Sequence, residues 1–82
     1  MTVDLEWLKA VMKKPWSHRN RKLDGIARDT NLVVDLGYDS LDLVELAMEI
    51  EDETRLSLPD EELEELNTVG ELIAYLNKKL DE

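Results

Sequence analysis

Ser40 is the residue whose surroundings could do chemistry. It sits in the run Asp35-Leu36-Gly37-Tyr38-Asp39-Ser40-Leu41-Asp42-Leu43-Val44-Glu45-Leu46, among the carboxylates of Asp35, Asp39 and Asp42. The pattern predicts a loop that gives way to a helix at the serine. A hydroxyl there is exposed, and a phosphate esterified to it would face backbone N–H groups that the helix leaves without partners. The spacing suits covalent attachment of a phosphate-linked group. The plainer alternative is a serine that only helps to cap the helix.

Catalytic arrangements find less support. The one histidine, His18, lies in a basic stretch with no serine–carboxylate constellation around it, and the serines are Ser17, Ser40 and Ser57. A serine–histidine–aspartate site would need His18 beside Ser40, which nothing in the spacing suggests. Paired carboxylates are plentiful, but on an acidic helix surface rather than in an apolar cleft that would split their pKa values. Asp35, Asp39 and Asp42 are close together without the alternating ligands, central glycine and terminal glutamate of a calcium loop, so no dedicated metal site is expected. With no cysteine, neither a disulfide nor a thiolate metal site can form. The chain is expected not to be an enzyme.

Twenty acidic residues against ten basic ones give a net charge of −10, which argues against nucleic acid as a partner. The charge is uneven. Residues 35–65 hold thirteen acids and one base, Arg55, whereas residues 13–28 hold six bases and one acid, Asp24. Either one face is built to meet a basic partner or the acids are a solvated helix face. No apolar run approaches the roughly 20 residues that span a bilayer. Met1 to Val11 already contains Asp4 and Glu6, unlike a secretory signal, so the expected location is the cytoplasm.

Four helices account for the apolar pattern. Leu5, Leu8 and Met12, widened by Trp7 and Val11, predict a first helix from about Val3 to Lys14, stopped by Pro15. Residues Pro15 to Thr30 read as a long connection, with a short helical turn possible at Leu23 to Ala27. Leu32, Val33, Val34 and Leu36 have no partner strand and are expected to insert into the core from a loop. The second helix has Asp39 as N-cap and Asp42 at N3. Leu43, Leu46, Ala47 and Ile50 fall on one side of it, and Leu41, Val44 and Met48 on another, more apolar surface than one packed face requires. Pro59-Asp60-Glu61-Glu62 starts a short third helix ending near Leu66. Thr68-Val69-Gly70-Glu71 is a capping box for a fourth, whose stripe is Leu72, Ile73, Leu76 and Leu80. The expected fold is an all-α four-helix bundle, three longer helices and a short third, as a single domain over residues 1–82.

From about Ile26 through Leu76 the chain resembles bacterial acyl carrier proteins. The likeness is carried by Asp35-Leu36-Gly37, Asp39-Ser40-Leu41-Asp42, Val44-Glu45-Leu46, Met48, Glu51-Asp52-Glu53, Leu58-Pro59-Asp60-Glu61-Glu62 and Thr68-Val69. The resemblance implies a discrete carrier whose Ser40 bears 4'-phosphopantetheine, taken from coenzyme A by a phosphopantetheinyl transferase, with Asp39 assisting that enzyme's metal and serine engagement. The arm's thiol would hold acyl intermediates of fatty acid, lipid or polyketide-like biosynthesis as thioesters. The second helix would recognise partners such as acyl-ACP synthetases, ketosynthases or acyltransferases. Asp42, Glu45, Glu51 and Asp52 would steer toward basic patches, and Leu41, Val44 and Met48 would be apolar anchors. Leu46, Ala47 and Ile50, with the first and fourth helices, would line an acyl pocket, and the chain would act as a monomer.

Two features depart from that family. Thr54 stands where an aromatic residue is usual, and the connection from Pro15 to Arg28 is unusually basic. Both suggest a specialised carrier. A reading from another class is an unmodified acidic adaptor that presents its second helix to a basic protein.

Overall fold

Local capping decides where the helices begin. The structure is a computed structural model describing residues 2–13 and 25–81, with α1 at Leu5–Met12, α2 at Ser40–Thr54, α3 at Asp60–Leu63 and α4 at Val69–Leu80. The all-α bundle expected from the sequence is the fold found. Lys14, Pro15 as a helix stop, His18, most of the basic segment and the Leu23 end of the suggested turn lie outside the described residues. In the described part of that turn, Gly25 to Ala27 is not helical, and Ile26 is buried.

Helix α1 begins at Leu5 rather than Val3, because Asp4 is extended and its carboxylate accepts the Trp7 N–H at 2.8 Å. Val3 is instead buried and strapped to α4. Its N–H donates to Asn77 Oδ1 at 2.8 Å, and its carbonyl accepts from Asn77 Nδ2 at 3.0 Å. Helix α1 packs on both α2 and α4. Leu8, Met12, Ile50 and Leu76 are fully enclosed between these helices, each worth about 1.5–3 kcal/mol of burial.

Residues 31–36 correct the expectation of a plain inserting loop. Asn31 Oδ1 accepts the N–H groups of Val33 and Val34, and Asp35 Oδ2 accepts the Asn31 N–H in return. The segment is therefore a capped helical turn. Leu32 and Leu36, four apart, face inward, while Val33 and Val34 point out and are exposed. Gly37 ends the turn at φ 70, its N–H bonded to the Val33 carbonyl at 3.0 Å, and Tyr38 then enters the core.

This turn is tied to the start of α4. The N–H groups of Val69 and Gly70 donate to the carbonyls of Thr30 and Arg28, and the Leu32 N–H donates to the Asn67 carbonyl. Thr68 Oγ1 accepts the Glu71 N–H and the Thr68 carbonyl accepts that of Leu72, so the first four donors of α4 all have partners. Helix α3 is a single turn ending at Leu63 rather than near Leu66; Glu65 and Leu66 continue only with three-residue turn bonds.

Candidate functional site

Asp39 and Asp42 build the platform on which Ser40 stands. Asp39 is extended and its Oδ1 accepts the Asp42 N–H at 2.9 Å, while Asp42 Oδ2 accepts the Asp39 N–H at 3.0 Å. The Asp39 carbonyl takes the Leu43 N–H. Both carboxylates lie at the positive end of the α2 dipole. Ser40 is the first residue of the helix and is exposed. A group esterified there would project from a fixed point, next to the remaining first-turn amides of Ser40 and Leu41.

That geometry encloses Asp42. It is only 7% exposed, and its carboxylate belongs to the capping box that fixes the helix start. Glu51 is likewise engaged, its Oε2 accepting the Leu58 N–H at 2.8 Å and pinning the segment after α2. Glu45 is half-buried and Asp52 exposed. Among the apolar residues, Leu41 and Met48 are exposed at 62% and 59%, and Val44 is half-buried. Val33 and Val34 add a second exposed apolar group upstream of the serine. The Asn31/Asp35 pairing could have revealed their outward placement.

Beside Ser40 lies a mostly apolar cleft of about 140 Å³, lined by Leu43 and Val44 of α2 and by Asp60, Leu63 and Glu64 at α3. Adjoining it is a small void of about 10 Å³ among Leu32, Leu43, Leu46, Ala47, Ile50, Leu63, Leu66 and Leu72. Leu43 and Leu63 border both spaces and form the wall between them. The void is lined by α2, α3, α4 and Leu32, not by α1. A wider groove of about 420 Å³ follows the α3–α4 seam, away from Ser40, with Glu62, Tyr75 and Lys79 in its walls. It is charged, and Glu62 is tied down within it by Tyr75 and Lys79.

At the end of α2, Thr54 Oγ1 donates to the Ile50 carbonyl at 2.7 Å and accepts the Leu56 N–H at 3.3 Å. Here a hydroxyl closes the helix by hydrogen bonding, at a position where acyl carrier proteins usually carry an aromatic ring.

The family model for the phosphopantetheine attachment site matches residues 20–76. Among solved structures, the 3,7-dioxo-octyl form of the actinorhodin acyl carrier protein from Streptomyces coelicolor superposes with a TM-score of 0.78 at 29% identity, covering 95% of this chain and 91% of that one. The 3-oxo-butyl carrier protein, an intermediate mimic from the actinorhodin polyketide synthase of the same organism, gives 0.80 at 27% identity over 99% and 94%. With an exposed serine at a capped helix start, an apolar cleft beside it and a match over most of its length, the chain belongs to the acyl carrier protein family, whose cofactor is a covalently bound 4'-phosphopantetheine.

Proposed function

We propose that Ser40 is the attachment residue, and that the chain serves enzymes of a polyketide-like pathway, with fatty acid or other lipid biosynthesis as the nearest alternatives. The observation that carries this reading is the exposed Ser40 at the first position of α2, held by the Asp39/Asp42 box and opening onto an apolar cleft. The pathway class is supported by the likeness to the actinorhodin carriers. When attached, the arm supplies a thiol that holds an acyl chain as a thioester.

The chain's own residues present, steer and shelter; they are not catalysts. Asp39 keeps Ser40 at the helix start. Glu45 and Asp52 bias encounters toward basic patches, and Leu41, Met48 and the edge of Val44 give apolar contact, a combination suited to fast and transient docking. Parting Leu43 from Leu63 would join the cleft to the interior void and admit an apolar chain. The void as it stands has room for at most about one water, so entry requires that displacement. The reading keeps the chain in the cytoplasm as a monomer, with a phosphopantetheinyl transferase, ketosynthases, acyltransferases and acyl-ACP synthetases as partner classes. No helix among the described residues is long and apolar enough to cross a membrane.

Intact mass after incubation with a phosphopantetheinyl transferase, coenzyme A and magnesium tests the assignment. The chain should gain one arm, Ser57→Ala should gain it equally, and Ser40→Ala should gain none. An unchanged wild-type mass would overturn the reading in favour of an unmodified adaptor.

A further inference from the structure

Val33 and Val34 are adjacent, apolar and 55% and 80% exposed, although the turn that carries them already buries Leu32 and packs Leu36 against the core. Their outward placement is enforced. Hydrogen bonds hold the turn: from Val33 and Val34 to Asn31 Oδ1, from Asn31 to Asp35 Oδ2, from Asp35 and Leu36 to the Asn31 carbonyl, and from Gly37 to the Val33 carbonyl. Two β-branched side chains on a rigid turn lose little freedom on being covered. We propose that this valine pair is a docking surface for the phosphopantetheinyl transferase, the apolar counterpart on the upstream side of Ser40 to the acidic α2 on the downstream side. The proposal rests on the carrier reading above.

Reach supports that occupant. Gly37 N bonds the Val33 carbonyl at 3.0 Å and precedes Ser40 by three residues, so the Val33 carbonyl lies within about 14 Å of the Ser40 backbone. Specific, stable interfaces start at about 600 Å² per partner, a disc of about 14 Å radius. An enzyme that acts on the hydroxyl itself must cover Ser40, and a footprint of that size centred there extends to the valine turn. Enzymes that act at the far end of an arm need not.

Charge narrows the choice further. Asp29, Asp35 and Asp39 flank the pair in sequence and are all exposed, and no cationic residue occurs between Arg28 and Arg55. An anionic bilayer is repelled, and a second copy of this chain, at −10 overall, is disfavoured outside its basic residues 13–28. The surface that fits is an apolar patch rimmed by lysine or arginine.

The test compares wild type with the near-isosteric double variant Val33→Thr/Val34→Thr in arm attachment by a phosphopantetheinyl transferase with coenzyme A and magnesium. With the melting temperature unchanged, kcat/KM for the carrier should fall about tenfold, through KM. In parallel, the ¹⁵N-labelled Ser40→Ala chain is titrated with the same transferase, and the Val33 and Val34 amides should shift together with those of α2. A double variant modified within about twofold of the wild-type rate, or α2 shifts without valine shifts, overturns the proposal while leaving the carrier reading intact. If the variant is unstable, the titration alone decides. A wild-type chain that gains no arm overturns the carrier reading itself.

Discussion

The Gly70 N–H donates to the Arg28 carbonyl at 2.7 Å, and a β-carbon on Gly70 would stand 2.9 Å from that same oxygen. The first turn of α4 is thus pressed against the backbone of the segment leading to Ser40. In an ordinary helix, glycine to alanine stabilises by about 1 kcal/mol. Here the added methyl meets backbone rather than a side chain that can swing away. Gly70→Ala should therefore destabilise by about 1–2 kcal/mol net, read as a lower urea midpoint at unchanged m-value. A gain in stability would show that the two segments separate at little cost.

Arg55 closes α2 in the left-handed region, at φ 65 and ψ 16, with its N–H on the Glu51 carbonyl at 2.7 Å. A β-carbon is unfavourable in that conformation by about 1 kcal/mol, and glycine is the usual occupant. Arg55→Gly should raise stability by about 1 kcal/mol, or a melting temperature several degrees higher, despite the lost positive charge. Scanning calorimetry in moderate salt, which damps the charge change, is the measurement. A lower melting temperature would mean that the arginine side chain stabilises the fold by more than its backbone strain costs.

Both capping boxes were legible in the sequence because each is local. Asp39 with Asp42, and Thr68 with Glu71, announce their helices within four residues. The same logic would have found Asn31 with Asp35, but four apolar residues within that turn disguised a helical pattern as an inserting loop. The role of Glu51 was hidden for a different reason. Its partner, the Leu58 N–H, lies seven residues on, beyond a chain reversal at Arg55 that no glycine signals. The burial of Asp42 was hidden as well, because a box made by two aspartates encloses the second one, whereas charge counting treats all acids alike.

Glu62 joins α3 to α4, its carboxylate accepting from the Tyr75 hydroxyl and lying 3.0 Å from Lys79 Nζ. The Tyr75 hydrogen bond first, then that of Lys79, holds its carboxyl below the ordinary glutamate range. A depressed folded-state pKa stabilises the fold above the unfolded value, and that contribution is lost as pH falls through the folded one. The melting temperature should therefore decline on the acid side of about 4.5, and Glu62→Gln should decline less steeply there while starting lower at neutral pH. Identical acid slopes in the two proteins would show that this bridge does not link α3 to α4 in solution.

Glu45 offers the cleanest test of electrostatic steering, because Asp42 and Glu51 are already engaged within the fold and substituting either would damage it. Reversing Glu45 to Lys removes one attraction to a basic partner and adds a repulsion, without touching a capping interaction. Arm attachment should slow about tenfold at ~0.03 M salt and about twofold or less at ~0.5 M, where the Debye length falls to a few ångströms. Stability should change little, since α2 is anchored by its buried face at Leu46, Ala47 and Ile50. Rates of attachment across a salt series, with the melting temperature of each protein alongside, separate the two causes. Equal slowing at both salt concentrations would indicate local packing damage around Glu45 and remove the acidic face of α2 as the element that draws partners in.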